Sequence, residues 1–489
     1  MKIYGKIRQR GEFMDQFEFE KKKKKKLRKE PIFAILCVLC LIIGGCGGYF
    51  LSSLQQNQQI TGTSQIYDQL AETIEEKFLD TTDSEYTLQE RMLSGLVAAL
   101  GDKHSSYLTS EATDDLNTSI NGSYKGIGVS FSAIDSGGLI LEVFGDSPAS
   151  QSGLLAGDII TSIQETSIAG FDSDKIKSMI VGEQGTNVSL KVLRNGKEKT
   201  ITVTRGDVES SVSYEIKTEN NKKVGYLRLT TFGSTATSLA EKALKEFKKE
   251  NVQNICIDLR GNGGGYIDAA QSLLDLFIPK NQIMFKVQYK DNTYQEYKST
   301  DCDKYIFEHG YVLVNGSSAS AAEVMTSALD EILDYKIIGE TTYGKGTVQT
   351  QYPLSDGSTL KLTTAKWLTS KGTWINQKGI APDYEITNET MSSYYVNALE
   401  NSYQYDQVDD EIENMQKILK TLGYSVDRTD GYFSLKTQEA FKQFEKDNGL
   451  NVNGIYDQED QKILLSCLTY YIYQKADDAQ YQKVVSLLK

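Results

Sequence analysis

The chain is predicted to be a multidomain α/β protein, with an N-terminal transmembrane helix, a β-rich domain, an α/β core and a small all-α domain at its C-terminus. Three observations predict this. Residues 31–54 carry no charge. Strand-like and helix-like periods alternate from about residue 210 to 392, the mark of an α/β core. Helical periodicity alone governs the segment from about 408 to 470.

At 489 residues the chain is long enough for about three domains, and its mixed composition is that of a globular protein. The formal charge of −13 is unevenly placed. Residues 1–30 form a basic tail with Lys21 to Lys26 unbroken, and the remainder is acidic, which argues against a nucleic-acid partner. Residues 31–54 are long enough to cross a bilayer of about 30 Å. With Lys and Arg crowding its N-terminal side, the expected topology is single-pass, with residues 1–30 cytoplasmic and everything after about residue 55 outside the cell membrane. A cleaved signal peptide would need a small-residue site closing the apolar run, and none does so cleanly. Ile43-Gly44-Gly45-Cys46 loosely resembles a lipoprotein cleavage box, but it lies mid-span.

Three of the six cysteines, Cys37, Cys40 and Cys46, fall in this span. Cys256, Cys302 and Cys467 are too scattered for a disulfide framework or a zinc site, so neither a required disulfide nor a metal is expected.

After a polar stretch, helical periods at Ile66 to Leu79 and Thr87 to Leu100 suggest a helical collar over residues 65–121, a candidate for homodimer formation. Residues 122–206 then read as β-rich. Turns fall at Asp135-Ser136-Gly137-Gly138 and Arg194-Asn195-Gly196, and one helix from Ser173 to Val181 places Ile176, Met179 and Ile180 on one face. In Tyr124-Lys125-Gly126-Ile127-Gly128-Val129, Gly126 and Gly128 let backbone N–H groups converge on an anion beside a strand edge that an extended peptide can join. A C-terminal carboxylate suits that loop, with Ile127, Val129, Ile176 and Ile180 lining a pocket for an apolar last side chain.

The α/β region, residues 210–392, holds the chemistry. Ser320, in Asn315-Gly316-Ser317-Ser318-Ala319-Ser320-Ala321-Ala322-Glu323, follows a buried strand and stands at a helix N-terminus, where the Ala321 amide can donate to a developing oxyanion. A second donor is expected from the glycine loop Asp258 to Gly265, at Gly264. A serine needs a base. Only His104 and His309 exist, and neither sits in a nucleophile motif, so Lys345 in Tyr343-Gly344-Lys345-Gly346-Thr347-Val348-Gln349 is the candidate. Lysine acts as a base only when neutral, and no acid flanks Lys345, while Gln349 offers an uncharged amide to orient it. The near-Walker run Gly339 to Lys345 lacks the Ser or Thr that would ligate magnesium, so no nucleotide is expected.

The last domain, residues 408–470, carries an internal repeat, with Asp430-Gly431-Tyr432-Phe433 echoed by Asn453-Gly454-Ile455-Tyr456.

These motifs together resemble the carboxyl-terminal processing peptidases (tail-specific proteases, peptidase family S41). The resemblance is carried by Gly316 to Glu323, Gly344 to Gln349, the Asp258-Leu259-Arg260 glycine loop, Lys378 to Asp383 and Gly101 to Leu108. It implies a ClpP/crotonase-like core and a Ser/Lys serine endopeptidase with Ser320 as nucleophile, Lys345 as base and Gln349 as its orienting partner. The region 122–206 is similar to a PDZ domain, also in Gly153-Leu154-Leu155-Ala156-Gly157-Asp158-Ile159-Ile160, which implies recognition of substrate C-terminal tails. The C-terminal unit is similar to a peptidoglycan-binding domain, which implies a cell-wall partner, although Ser434 and Asp457 stand where a second glycine is usual. Many relatives carry an arginine where this chain has Val181. The competing expectation is a wall-bound PDZ scaffold with a silent protease domain; the intact Ser320, Lys345 and Gln349 argue against it.

Overall fold

The computed structural model describes residues 65–79, 86–121, 123–209, 211–388, 393–394 and 398–488. The basic tail and the expected membrane span, residues 31–54, lie outside them. No helix among the described residues is long and apolar enough to cross a membrane.

Residues 65–77 are helical. Ile66, Leu70, Ile74 and Phe78, at four-residue intervals on one face, are all exposed. A second helix spans Leu88–Ala98 and a third Ser110–Asn121.

The protease-like region is built on a six-stranded sheet in the order Val212–Glu219, Lys222–Leu229, Asn254–Asp258, His309–Val314, Lys336–Gly339, Tyr384–Glu385. The first pair is antiparallel and the others are parallel. Side chains alternate between its faces. Ile255, Ile257, Val312 and Val314 join one core with the helices Ala236–Lys249, Ile267–Asp275 and Ala321–Leu333. Cys256, Tyr311 and Leu313 point to the other face, where they pack on Tyr481 and Val484 of the last helix, Ala479–Leu487. Sequence periodicity ends the helical domain at about 470 and does not reveal this. The final segment returns to cover the second face of the protease sheet. Asp478 caps the returning helix, accepting from the Tyr481 amide at 3.1 Å, and its carboxylate pairs with Arg260 at 2.9 Å.

A five-stranded antiparallel sheet, also not foreseen, stands beside the first. It holds Ser106–Leu108, Thr359–Thr369, Ile283–Tyr289 and Tyr294–Lys298 in that order, with Thr347–Pro353 pairing Thr359–Thr369.

Residues 129–204 form the expected β-rich domain, whose helix Ser173–Ile180 is capped by Asp172. The chain enters and leaves it through one two-stranded ribbon, Ser123–Gly126 with Gly206–Glu209. The C-terminal unit packs the helices Asp410–Thr421, Leu435–Asp447 and Gln458–Gln474 around Ile412, Met415, Phe441, Phe444 and Leu464. The internal repeat is structural. Gly431 and Gly454 each turn at positive φ and donate their N–H to a side chain of the preceding helix, Gln416 and Glu445 respectively. Ser434 and Asp457, which depart from the usual second glycine, cap the helices that follow. This unit docks on the β-rich domain: Thr469 donates to the Gly157 carbonyl at 2.8 Å and Gln474 to the Ala156 carbonyl at 2.9 Å.

Candidate active site

The parallel register sets Asp258 beside Leu313, so the glycine loop and the Ser320 turn leave neighbouring strand ends together. Ser320 adopts φ 57°, ψ −116°, outside the regions a serine prefers. Such a conformation costs about 1–3 kcal/mol and persists only where its surroundings enforce it. The enforcing group is Glu323, wholly buried one turn into the helix, whose Oε2 accepts the Ser320 N–H at 2.9 Å. The same carboxylate accepts the Lys345 N–H at 2.8 Å, the Gly344 N–H at 2.7 Å and the Thr342 hydroxyl at 2.6 Å. Sequence reading includes Glu323 in the serine motif without giving it a role.

The lysine loop is held from its other side as well. Trp367 Nε1 donates to the Lys345 carbonyl at 2.8 Å, and the Gln377 backbone N–H donates to the Gly344 carbonyl at 2.8 Å. Gly344 has φ +84°, and a Cβ there would lie 2.8 Å from the Gly379 nitrogen, so only glycine lets the Lys378 to Asp383 segment close on the loop.

Burial, and after it the charge of Lys361, holds the Lys345 amine below the usual lysine value, while Glu323 and Asp102 pull the other way. Lys361 lies two residues along its strand from Thr363, hence on the same face. Thr363 pairs with Gln349 across the ladder, and Lys361 with Gln351. Gln349 donates its amide to the hydroxyls of Thr347 at 2.9 Å and Thr363 at 3.1 Å. Both amide protons are therefore committed, leaving the carbonyl oxygen to meet an amine.

The Gly101 to Leu108 motif, which sequence reading leaves ahead of the β-rich domain, lies at this site. Lys103 donates to the Tyr343 hydroxyl at 3.0 Å. Burial, then the charges of Lys345 and Lys103, holds His104 below the ordinary imidazole value. Against the upward pull of burial, hydrogen bonds with Ser105 and Thr363 hold Asp102 low.

Gly264 is brought against Ser320. A Cβ on it would sit 2.8 Å from Ser320 Cβ and 3.0 Å from the Ala321 nitrogen, so the two expected oxyanion donors are neighbours. The Gly264 N–H, however, donates to Asn262 Oδ1 at 2.8 Å, and the Asn262 amide is anchored on the Leu229 carbonyl at 2.9 Å. To serve an oxyanion, the Gly264 amide must leave Asn262.

Ser320, Ala321, Gly264, Lys345, Gln349 and Lys361 line a cleft of about 1490 Å³ that continues along Gly126, Ile127, Gly128 and Val129 to Ile180 and Val181. Ile176 is a correction to the expected pocket. It is wholly buried in the core of the β-rich domain and does not line the cleft; Lys177 and Ile180 of the same helix do. In the wall of the cleft, Arg228 bridges two domains, pairing with Glu142 of the β-rich domain at 2.7 Å and with buried Asp258 at 2.9 Å. Burial alone would raise the Asp258 carboxyl, but Arg260 and Arg228 hold it far below the usual range.

A serine at a helix N-terminus and a half-buried lysine lining one cleft are the parts a serine peptidase needs, and the chain is similar to such enzymes. The pattern of peptidase family S41 matches residues 223–386, a PDZ domain matches 126–204, and a putative peptidoglycan binding domain matches 408–480. The carboxy-terminal processing protease CtpB of Bacillus subtilis is 30% identical over 478 residues, covering 94% of this chain and 99% of that protein. CtpA of the same species is 31% identical over 442 residues, covering 90% and 93%. A probable CtpA-like serine protease of Staphylococcus epidermidis is 34% identical over 375 residues, covering 76% and 75%. The chain belongs to peptidase family S41, with the carboxy-terminal processing proteases.

Proposed function

We propose that this chain is a membrane-anchored, extracytoplasmic serine endopeptidase that binds the C-terminal tail of a protein in its PDZ groove and cuts upstream with a Ser320/Lys345 dyad. The observation that carries this is the single cleft running from the Gly126 to Val129 loop to Ser320 and Lys345. A tail seated on the loop's backbone amides lays an extended segment along the strand edge and on past the serine. Neutral Lys345 takes the Ser320 proton as Oγ attacks the scissile carbonyl, and returns it to the departing amine. A lysine-activated water then opens the acyl-enzyme. Ala321 and, once released from Asn262, Gly264 supply the oxyanion amides, with Gln349 orienting Lys345. Residues 31–54 tether the enzyme, and the C-terminal unit steers it to peptidoglycan.

The test compares the full-length chain with Ser320→Ala and Lys345→Ala on an unfolded protein ending in an apolar residue. Cleavage that disappears in both variants is expected. Equal cleavage by wild type and Ser320→Ala would discard the dyad. Tail binding with no wild-type cleavage would favour the wall-bound scaffold.

A further inference from the structure

Glu323 touches both halves of the dyad assigned above, and the inference drawn here rests on that assignment. An ordinary capping box would account for the Ser320 N–H alone. Three further donors, the Thr342 hydroxyl and the Gly344 and Lys345 amides, come from a separate segment, and their distances of 2.6 to 2.8 Å are those of charge-assisted bonds. Four donors fill the acceptor sites of one carboxylate. A buried carboxylate is costly unless it is satisfied in this way.

We propose that Glu323 is a positioning residue for the peptidase reaction, a single buried carboxylate that fixes the backbone of the nucleophile and the backbone of the base in register. It holds Ser320 in its positive-φ turn and the Lys345 loop against it, without itself touching substrate. Its charge also bears on the amine. The groups facing Lys345 are Lys361 from the strand Thr359–Thr369, Asp102 and His104, with Lys103 beside them, from the loop before Ser106, and Glu323 from the helix. Lys361 favours the neutral amine, and the two carboxylates oppose it. Four donors spread the Glu323 charge, so the anchor does not trap the lysine as an ammonium.

The experiment measures kcat, KM and the acid limb of kcat/KM for full-length Glu323→Gln on an unstructured peptide with an apolar C-terminal residue. Gln offers one acceptor oxygen and turns an NH2 group toward backbone N–H groups. A displacement of about 1 Å between the reacting groups costs about 10²-fold, so kcat falls by that order while KM stays within about twofold. At the same time the acid limb moves to lower pH, because removing a buried negative charge disfavours the ammonium. A structural defect lowers activity without moving the limb. Glu323→Asp keeps the charge but shortens the reach, so it lowers kcat and leaves the limb in place. Should Glu323→Gln not fold, Thr342→Val removes one donor only, and a few-fold lower kcat with the limb moved to higher pH is expected.

Wild-type kcat in Glu323→Gln, an acid limb that is unmoved or raised in it, or a wild-type profile in Thr342→Val would each overturn the proposal. Failure of the dyad is read separately: Ser320→Ala would then cut as wild type does. An inert Ser320→Ala beside a wild-type-like Glu323→Gln would discard only the role of Glu323.

Discussion

Loosening the last helix of the chain is expected to destabilise the protease domain rather than the helical unit that precedes it. Tyr481 is 6% exposed and packs edge-on against Tyr226 with ring centroids 5.6 Å apart. Truncating a buried aromatic costs about 3–5 kcal/mol. Asp478→Ala removes a helix cap of about 1 kcal/mol. It also removes a pair with Arg260 whose acidic partner is 36% exposed, so solvent screening limits that contribution to about 0.5–1 kcal/mol. At about 2–4 °C per kcal/mol for a domain of this size, Asp478→Ala lowers Tm by about 3–8 °C and Tyr481→Ala by about 6–20 °C. The assay is calorimetry of the full-length chain as a function of pH. Burial raises the Asp478 carboxyl, but bonds from Arg260 and Asn388 prevail and hold it below its ordinary value. Its contribution is therefore complete above the unfolded value of about 3.9 and is lost as pH falls through the lower folded value. The gap between wild type and Asp478→Ala should close in strong acid. If both variants melt as wild type does, the helix does not complete the sheet.

Two further outcomes are expected. With Lys345 as the proposed neutral base, kcat/KM is expected to rise with pH through its lowered value; Lys361→Met raises that value and shifts the acid limb to higher pH, while Lys361→Arg does not, and an unmoved limb in Lys361→Met would assign the effect to burial alone. In Gly264→Ala, φ of +105° and a Cβ 2.8 Å from Ser320 Cβ force the loop away. Steady-state kinetics should give a kcat lower by about 10²–10³-fold with KM little changed, and near-wild-type kcat would place the second oxyanion donor elsewhere.

The dyad candidates are legible in the sequence because each is a short glycine-flanked run next to a recognisable strand end. What holds them is not. Glu323 binds partners about twenty residues downstream, and a glutamate on an apolar helix face gives no sign of what it accepts. The Asp102 to His104 loop reaches Lys345 only because Ser106–Leu108 pairs with Thr359–Thr369 across the chain, a register that local periodicity does not encode. Gly264 was legible as a close approach to Ser320, yet the hold of Asn262 on its amide depends on one side-chain rotamer. Ile176 shows the limit of face-counting. On an eight-residue helix the groove and the core are adjacent, and one position decides between them. The terminal helix escapes notice because its apolar face is short, and the sheet that needs it lies on the far side of the helical unit in sequence.

The cleft joining the PDZ loop to Ser320 has a consequence for the products. When a tail is anchored by its free carboxylate at one end, an extended chain spans a set distance at about 3.3 Å per residue. On the proposed function, the first cut would then fall a fixed count of residues from the end, set by the span rather than by residue identity. The enzyme would on that reading act as a ruler, each cut leaving a new carboxylate from which the next length is measured.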